Sequence, residues 1–237
     1  MMLKYFGFLF ALFCSVKSQC QTRDTFFVKQ NIRHHKISAY LPKDTVLFKN
    51  YVFYLHGRII EEHTLLEEAT DPSYGVYNYA NILDSLVNKG KNIVISEHRK
   101  KLTDVYEYAG FISSQIDTLL KRGVAPNRIC VVGASKGGLI AMYVSSIVKN
   151  KKVKYVWLAC CGDDIECDSA LTPWGFILSI IEKTDKFAGS CYPVYKKNYL
   201  QMTYRELEIY TGLSHGFLYN PNSAWLQPTL NWINEED

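Results

Sequence analysis

The sequence predicts an α/β fold in which a mostly parallel central sheet carries helices on both faces. Short apolar runs rich in β-branched and aromatic residues, such as residues 51–55 (YVFYL), alternate along the chain with longer segments of helical periodicity. Continuous apolar strands are typical of parallel sheets that are buried on both sides. The chain has 237 residues, 48% of them hydrophobic, which is enough for a single domain, predicted over residues 21–237.

The order of the elements follows from apolar periodicity and from the residues that begin or end helices. Residues 104–122 are the clearest helix, because apolar side chains recur on one face, Asp104 is placed to cap it and Gly123 to end it. Residues 25–42 alternate apolar and polar side chains, which predicts an antiparallel pair at the sheet edge. Further strands are predicted at residues 51–55, 92–96, 128–132, 153–159, 176–181 and 205–211, and further helices at 78–89, 138–149 and 223–234, with a break expected before Pro228.

The composition excludes several classes of protein. Lys and Arg number 27 against 23 Asp and Glu, and this net charge of +4 is too small to indicate a nucleic-acid-binding protein. No internal stretch reaches the roughly 20 apolar residues that span a bilayer. No spacing of Cys and His is typical of a zinc site. We therefore expect no nucleic-acid partner, no metal and no membrane span in the mature chain.

The first residues are typical of a secretory signal peptide. Lys4 supplies a positive start, and an apolar core follows over residues 5–16, too short to span a bilayer. Val16 and Ser18 are small residues spaced for cleavage after Ser18, and cleavage after Cys20 is a second option. The alternative is an N-terminal helix of the fold itself. We predict a signal peptide over residues 1–18 and a secreted or periplasmic mature chain.

Export would place the remaining cysteines in an oxidising compartment, where disulfides persist. Cys130 lies in a predicted strand and is interpreted as a buried apolar residue. Four others fall close together in the second half of the chain and would form one or two disulfides, with the connectivity open. These are Cys160, Cys161, Cys167 and Cys191.

The sharpest functional signal is the segment Gly133-Ala134-Ser135-Lys136-Gly137, which matches the pattern G-x-S-x-G. It follows an apolar strand and opens an apolar helix. Such a tight strand-to-helix turn forces Ser135 into a strained backbone conformation, which only flanking glycines permit. The turn would lift the serine hydroxyl above the sheet edge, at a helix N-terminus that favours developing negative charge. The alternative is a structural turn with an inert serine.

A serine hydroxyl is a weak nucleophile and needs a base. In a doubly wound sheet of this type the base and its orienting acid follow the serine along the chain, and only one of the six histidines does so, His215. The favoured acid is Asp185, which follows the strand at residues 176–181 and would fix the tautomer of the imidazole. The alternative acids are Asp163, Asp164 and Glu182.

An acyl-transfer site also needs donors for a developing oxyanion. One donor would be the backbone N–H of Lys136, directly after the serine. The second would come from the turn after strand 51–55, where the N–H of Arg58 is the favoured group. Gly57 allows close backbone approach and would border the substrate. The alternative is a plain turn that ends the strand.

These motifs resemble the α/β-hydrolase superfamily. Three motifs occur in the order of that superfamily: the pair His56-Gly57 at a strand end, the G-x-S-x-G turn around Ser135 and the pair His215-Gly216. The resemblance covers about residues 51–233. The spacing is similar to small members without a large cap domain, the dienelactone-hydrolase-like and acyl-esterase-like proteins. Two features depart from the pattern. Dienelactone hydrolases use a cysteine nucleophile, and the stretch after His56 lacks the glycine run of lipase-type motifs.

The resemblance implies a serine hydrolase, in the first place one that cleaves small carboxylic esters through an acyl-enzyme. Ser135 would attack, His215 would carry the proton and Asp185 would orient the imidazole. Such a site needs no metal and no organic cofactor. A serine peptidase or an acyltransferase would use the same three side chains, and a non-catalytic binding module on the same fold is the alternative from a different class.

The long connection at residues 58–77 is predicted to form a small lid over this site. It is acidic first and then carries Tyr74 and Tyr77, which we expect to border the substrate. The alternative is a solvated surface excursion. Arg99 ends the strand at residues 92–96, on the same sheet edge. It would hold an acidic group of the substrate or pair with a glutamate of the lid.

Overall fold

A computed structural model of the protein describes residues 37–65, 69–162, 165 and 168–235. The predicted signal peptide lies outside the described residues, as does most of the segment at residues 25–42. The described end of that segment forms strand β1, Ile37–Ser38, which pairs in parallel with the strand Asn92–Ile95. The predicted antiparallel pairing is therefore not found there, because an alternating pattern fixes which side chains face the core but not the direction of the neighbouring strand.

Among the described residues, seven strands form one central sheet in which all neighbours are parallel. The spatial order is the first, third, second, fourth, fifth, sixth and seventh of these along the chain. The predicted strands are found, with shifted ends. In chain order the seven are β1, β2 (Asn50–Leu55), β5 (Asn92–Ile95), β6 (Ile129–Ala134), β7 (Lys154–Leu158), β8 (Gly175–Glu182) and β9 (Met202–Ile209).

Two short strands pair apart from this sheet. They are β3 (Thr70–Asp71) and β4 (Gly75–Val76), an antiparallel pair within the connection that was predicted to be a lid. The described part of that connection is anchored to the core, since Ala69 is fully buried and the N–H of Tyr77 donates to its carbonyl at 2.8 Å. The described residues of the connection are therefore held to the core at Ala69 and Tyr77.

The four longer helices lie where apolar periodicity predicts them, whereas the two short helices, Arg58–Glu62 and Tyr192–Asn198, were not predicted. Asp104 caps the long third helix, because its carboxylate accepts from the N–H of Glu107 at 2.8 Å. The last helix runs through Pro228 without the expected break. None of the helices in the described ranges is long and apolar enough to cross a membrane. The helices are α1 (Arg58–Glu62), α2 (Tyr79–Val87), α3 (Val105–Lys121), α4 (Lys136–Val148), α5 (Tyr192–Asn198) and α6 (Ser223–Asn234).

The sheet has a hydrophobic core on each face. Successive side chains of a strand point to opposite faces, and β2 shows this directly. Val52 and Tyr54 pack with residues of α2 and α6, whereas Tyr51, Phe53 and Leu55 pack with residues of α3 and α4. Burial on both faces explains why the central strands are continuous apolar runs, and it leaves the carboxyl edge of the sheet as the place for polar side chains.

One disulfide joins two connections at this carboxyl edge. Cys161, just after β7, is bonded to Cys191, which precedes α5 in the connection that follows β8. The N–H of Gly189 also donates to the carbonyl of Cys161 at 2.7 Å. Cys130 is a buried thiol, as predicted, and Cys160 is a free thiol. Cys167 lies outside the described residues.

Removing the disulfide is expected to destabilise the fold. The bond closes a loop with a sequence separation of 30, and restricting the unfolded chain by such a loop stabilises a protein by about 3–4 kcal/mol. The double variant Cys161→Ser/Cys191→Ser should lose that much in free energy of unfolding, measured by equilibrium urea denaturation. Cys160→Ser, which leaves the disulfide intact, is the control. Equal midpoints for wild type and double variant would contradict the expectation.

Candidate active site

The site is built around the turn between β6 and α4. Ser135 has φ 52° and ψ −120°, a conformation that L-residues rarely adopt. Glycine is required on both sides of it. A Cβ on Gly133 would lie 2.2 Å from the carbonyl oxygen of Gly137, and a Cβ on Gly137 would lie 1.8 Å from the carbonyl oxygen of Leu55. Both positions are too crowded for any other side chain, so the glycines of the motif are structural requirements of the turn.

The same crowding brings the end of β2 against the start of α4. A Cβ on Gly57 would lie 3.7 Å from the Cβ of Ser135, in ordinary van der Waals contact. The predicted oxyanion turn is therefore beside the serine. Arg58 and Lys136 are the first residues of α1 and α4. N–H groups in the first turn of a helix have no intrahelical acceptor, so they are available to an anion.

The His215 side chain meets Ser135, and the Asp185 side chain from the neighbouring strand end meets His215. His215, in a 3₁₀ turn at Ser214–Tyr219 after β9, places Nε2 at 3.0 Å from the Ser135 hydroxyl oxygen. Its Nδ1 lies 2.6 Å from Oδ2 of Asp185, which follows β8. The carboxylate side chain of Asp185 is fully buried, and 17% of the His215 side chain is exposed.

This geometry defines what the three groups can do. A carboxylate accepts a hydrogen bond from Nδ1–H, which leaves Nε2 as an acceptor for the serine hydroxyl. Both distances are within hydrogen-bond range, as proton transfer from the hydroxyl to the imidazole requires. The buried carboxylate would also stabilise the imidazolium that forms.

The alternative acids do not occupy this position in the described chain. Glu182 ends β8 and accepts from the N–H of Thr184 at 2.6 Å, of Thr211 at 2.8 Å and of Gly212 at 3.2 Å. It therefore holds the connection that carries Asp185 to the connection that carries His215. Burial by itself would raise the pKa of Glu182, but these hydrogen bonds outweigh it and lower the pKa below its ordinary value of 4.5. Asp163 and Asp164 lie outside the described residues.

Two residues predicted to border the substrate are buried instead. Arg99 is 1% exposed, and its guanidinium pairs with Glu61, a glutamate of the predicted lid. Of the two roles considered for Arg99, the structure has the ion pair. Tyr77 is 3% exposed and its hydroxyl lies 2.6 Å from that of Tyr54, so it belongs to the core. Burial raises the pKa of Tyr77 to about 12.

Tyr74 does lie near the site. Its ring makes an edge contact with the ring of Tyr219 at 5.4 Å, and a Cβ on Gly216 would come within 2.6 Å of the Tyr74 ring. Gly216 directly follows His215, so the Tyr74 ring packs on the backbone that carries the imidazole. The glycine there is explained by this close approach.

One residue near the site, Phe187, belongs to none of the predicted motifs. Its ring lies edge-on to the imidazole of His215, with 5.7 Å between centroids, although 73% of the residue is exposed. Its N–H donates to Oδ1 of Asp185 at 2.8 Å. The signal in the sequence is an aromatic residue two positions after the favoured acid, in a connection that carries no apolar periodicity to explain it.

The described residues contain one cluster of side chains with the spacing of metal ligands. The sulfur atoms of Cys160, Cys161 and Cys191 lie within 4.8 Å of one another. Cys161 and Cys191 share the disulfide and offer no thiolate, so the cluster does not fit a metal. Burial also raises the pKa of the Cys160 thiol.

Several solved structures are similar to this chain at low sequence identity. SOBER1 of Arabidopsis thaliana matches with a TM-score of 0.52 and 12% identity, over 78% of this chain and 97% of that chain. A CIB-like hydrolase of Thermoplasma acidophilum matches with a TM-score of 0.51 and 14% identity, over 80% and 88%. EstE5 matches with a TM-score of 0.51 and 10% identity, over 78% and 75%. The protein has the α/β-hydrolase fold. No protein-family model and no curated protein sequence matches the chain.

In this α/β-hydrolase fold, the turn at Ser135 follows β6, the middle strand of the central sheet. Gly57, Asp185 and His215 follow the carboxyl ends of β2, β8 and β9, respectively. Within the described ranges, no connection between strands of this sheet carries a cap domain, as the sequence predicts. The α/β-hydrolase fold therefore leaves the serine at an edge where three other strand ends converge.

Replacing Glu182 by Gln is expected to destabilise the protein in a pH-dependent way. The lowered pKa means that the ionised carboxylate stabilises the fold above pH 4.5 and that this contribution is lost as the pH falls through the folded pKa. At neutral pH the variant should lose about 1–3 kcal/mol in free energy of unfolding, because an amide group would face N–H donors.

The measurement is urea denaturation of wild type and Glu182→Gln at neutral pH and at a pH below 4.5. The difference between the two proteins should shrink on acidification. Glu208→Gln on the exposed side of β9 is the matched control and should change stability by less than about 0.5 kcal/mol. A difference that stays constant with pH would show that the charge of Glu182 is not what holds the two connections together.

Proposed function

We propose that the protein is a serine hydrolase that cleaves carboxylic esters through an acyl-enzyme. The observation that carries this proposal is the hydrogen-bonded series Ser135–His215–Asp185 at the carboxyl edge of the sheet. The fold supports it, since one of the similar structures, that from Thermoplasma acidophilum, is named as a CIB-like hydrolase. The three side chains alone would also serve a peptidase or an acyltransferase, which differ in the leaving group and the acceptor.

Acylation begins with attack of the Ser135 hydroxyl oxygen on the ester carbonyl carbon. The Nε2 of His215 takes the hydroxyl proton, and the imidazolium is stabilised by Asp185. The tetrahedral intermediate then expels the alcohol, whose oxygen receives that proton from Nε2. In deacylation, water attacks the acyl-enzyme with His215 as base, and Ser135 leaves as its hydroxyl when the carboxylic acid is released.

The negative charge on the tetrahedral intermediate needs fixed donors. We assign this role to the backbone N–H groups of Lys136 and Arg58, which start α4 and α1. The N-terminus of α4 adds a favourable electrostatic field, since the helix macrodipole is positive at that end. One such donor is worth about 10²–10³ in kcat in enzymes where it has been removed.

We also propose that the mature chain is secreted or periplasmic. The disulfide between Cys161 and Cys191 supports this location, because disulfides persist in oxidising compartments. The disulfide also ties down the connection after β8, which carries Asp185.

The nucleophile assignment predicts that Ser135→Ala removes both activity and labelling. Wild type should react with a fluorophosphonate probe and hydrolyse p-nitrophenyl acetate, whereas Ser135→Ala should do neither. Asp185→Asn should lower kcat by roughly 10³–10⁴, because it favours the wrong tautomer of the imidazole. Ser73→Ala, at an exposed serine, is the matched control and should label like wild type.

The labelling and turnover results together distinguish an esterase from a peptidase or acyltransferase and from a binding module. Equal labelling of wild type and Ser135→Ala would refute the nucleophile. Labelling of Ser135 without hydrolysis of any ester, but with cleavage of a peptide or acyl transfer to an alcohol, would correct the reaction class. A protein that neither labels nor turns over would be a binding module on a hydrolase fold.

Phe187 is expected to select the leaving group. Because Nε2 of His215 delivers its proton to the leaving oxygen in the proposed reaction, we expect the Phe187 ring, which contacts that imidazole, to border the leaving group. Phe187→Ala should lower kcat/KM for a benzyl ester about tenfold and leave an ethyl ester of the same acid nearly unchanged, as expected for one lost apolar contact.

The matched control is Phe48→Ala. Phe48 is also 73% exposed, but it precedes β2 and so lies at the opposite edge of the sheet. It should leave both esters unaffected. An equal loss on benzyl and ethyl esters in Phe187→Ala would show that the ring acts on His215 and not on the leaving group.

A further inference from the structure

A buried cluster of charges next to the serine is not used by the proposed reaction. Glu61, at the end of α1, has a side chain that is 1% exposed and lies between two cations. One carboxylate oxygen is 2.6 Å from Nζ of Lys136 and the other is 2.7 Å from Nε of Arg99. Nζ of Lys136 also donates to the carbonyl of Thr103 at 2.8 Å.

The ion pair connects Lys136, one of the two assigned oxyanion donors, to the helix that begins with Arg58, the other. Lys136 carries one proposed N–H donor on its backbone and reaches Glu61 with its side chain. Glu61 belongs to the same short helix as Arg58, whose N–H is the other proposed donor. That helix has five residues and no side-chain cap, so its own hydrogen bonds hold it weakly. The Glu61–Lys136 pair thus links the two segments that carry the proposed donors.

The second cation fixes the backbone that leads into this helix. The N–H of Arg99 donates to Nε2 of His56 at 3.0 Å, and its guanidinium donates to the carbonyl oxygen of His56. Since Nε2 accepts, the proton of the ring is on Nδ1, which lies 2.9 Å from the carbonyl of Gly57 and donates to it. Burial, and then the charge of Arg99, hold the pKa of His56 well below its usual value, so the ring is neutral.

We propose that Glu61 is a positioning residue that sets the separation of the two oxyanion donors. This inference rests on the proposed function. Its carboxylate holds α1 against the N-terminus of α4 through Lys136 and holds the turn at His56 through Arg99. Removing the charge leaves the buried guanidinium of Arg99 and the partly exposed ammonium of Lys136 without their common partner, which displaces the helix that carries the Arg58 N–H. Small displacements of a catalytic group are costly, since a shift of about 1 Å can lower a rate about 10²-fold.

The test is a double-mutant cycle on Glu61→Gln and Lys136→Met, which keeps the backbone N–H of residue 136. For a small ester, each single variant should lower kcat about 10–100-fold and change KM by less than about twofold, because the donors act on the transition state. The double variant should lose no more than the less active single variant, because both changes break the same pair.

A second readout separates positioning from simple stabilisation. An active-site serine adds to the carbonyl of phenyl trifluoromethyl ketone, and the adduct is a tetrahedral oxyanion. In each variant, the affinity for this ketone should therefore fall by the same factor as kcat/KM. Free energies of unfolding by urea denaturation show whether each variant is folded under assay conditions. Glu62→Gln and Lys101→Met change exposed neighbours of the pair and should keep wild-type kcat and ketone affinity.

Three results would overturn the inference: wild-type kcat in a folded Glu61→Gln, a loss confined to KM, or losses that add in the double variant. If Glu61→Gln does not fold, the kcat and ketone affinity of Lys136→Met alone decide between positioning and a purely structural role. Failure of the proposed function is distinguishable. In that case Ser135→Ala itself keeps hydrolysing the ester, whereas failure of this inference leaves Ser135→Ala inactive.

Discussion

The structure of the site depends on one backbone constraint, the left-handed conformation of Ser135 between β6 and α4. That conformation costs about 1–3 kcal/mol and is maintained because the chain on both sides has no room to relax. Gly133 and Gly137 touch each other's backbone, and Gly137 also touches the end of β2. The turn that exposes the Ser135 hydroxyl therefore also brings the turn at Gly57, after β2, beside that hydroxyl. A single packing arrangement fixes two parts of the site.

The remaining groups arrive through the parallel register of the sheet. Strands β8 and β9 are neighbours, so the connections after them lie side by side and bring Asp185 to His215. Glu182, three residues before Asp185, holds those two connections together. Glu61 has the corresponding place on the other side of the serine. The carboxylates of Glu182 and Glu61 bind N–H groups or cations, while that of Asp185 meets the imidazole that carries the proton in the proposed reaction.

Local pattern was enough to predict six strands of the central sheet, the four longer helices and the residues at the strand ends, because apolar periodicity and the glycine motif act over a few residues. It could not place Arg99 or Tyr77. Their burial depends on contacts with Glu61 and Tyr54, which are distant in sequence, and a charged or aromatic residue at a strand end looks the same whether it faces substrate or core. The parallel pairing of β1 was missed for a related reason, because an alternating pattern does not show the direction of the neighbouring strand.

The most direct test of this account is to trap the acyl-enzyme. Wild type and Asp185→Asn would be mixed with a slowly hydrolysed ester, quenched in acid and digested, and the peptides analysed by mass spectrometry. The proposed mechanism requires one acylated peptide, with the acyl group on Ser135 and with slower formation in the variant. Acylation at another side chain, or turnover of the ester with no acylated serine at any quench time, would contradict it.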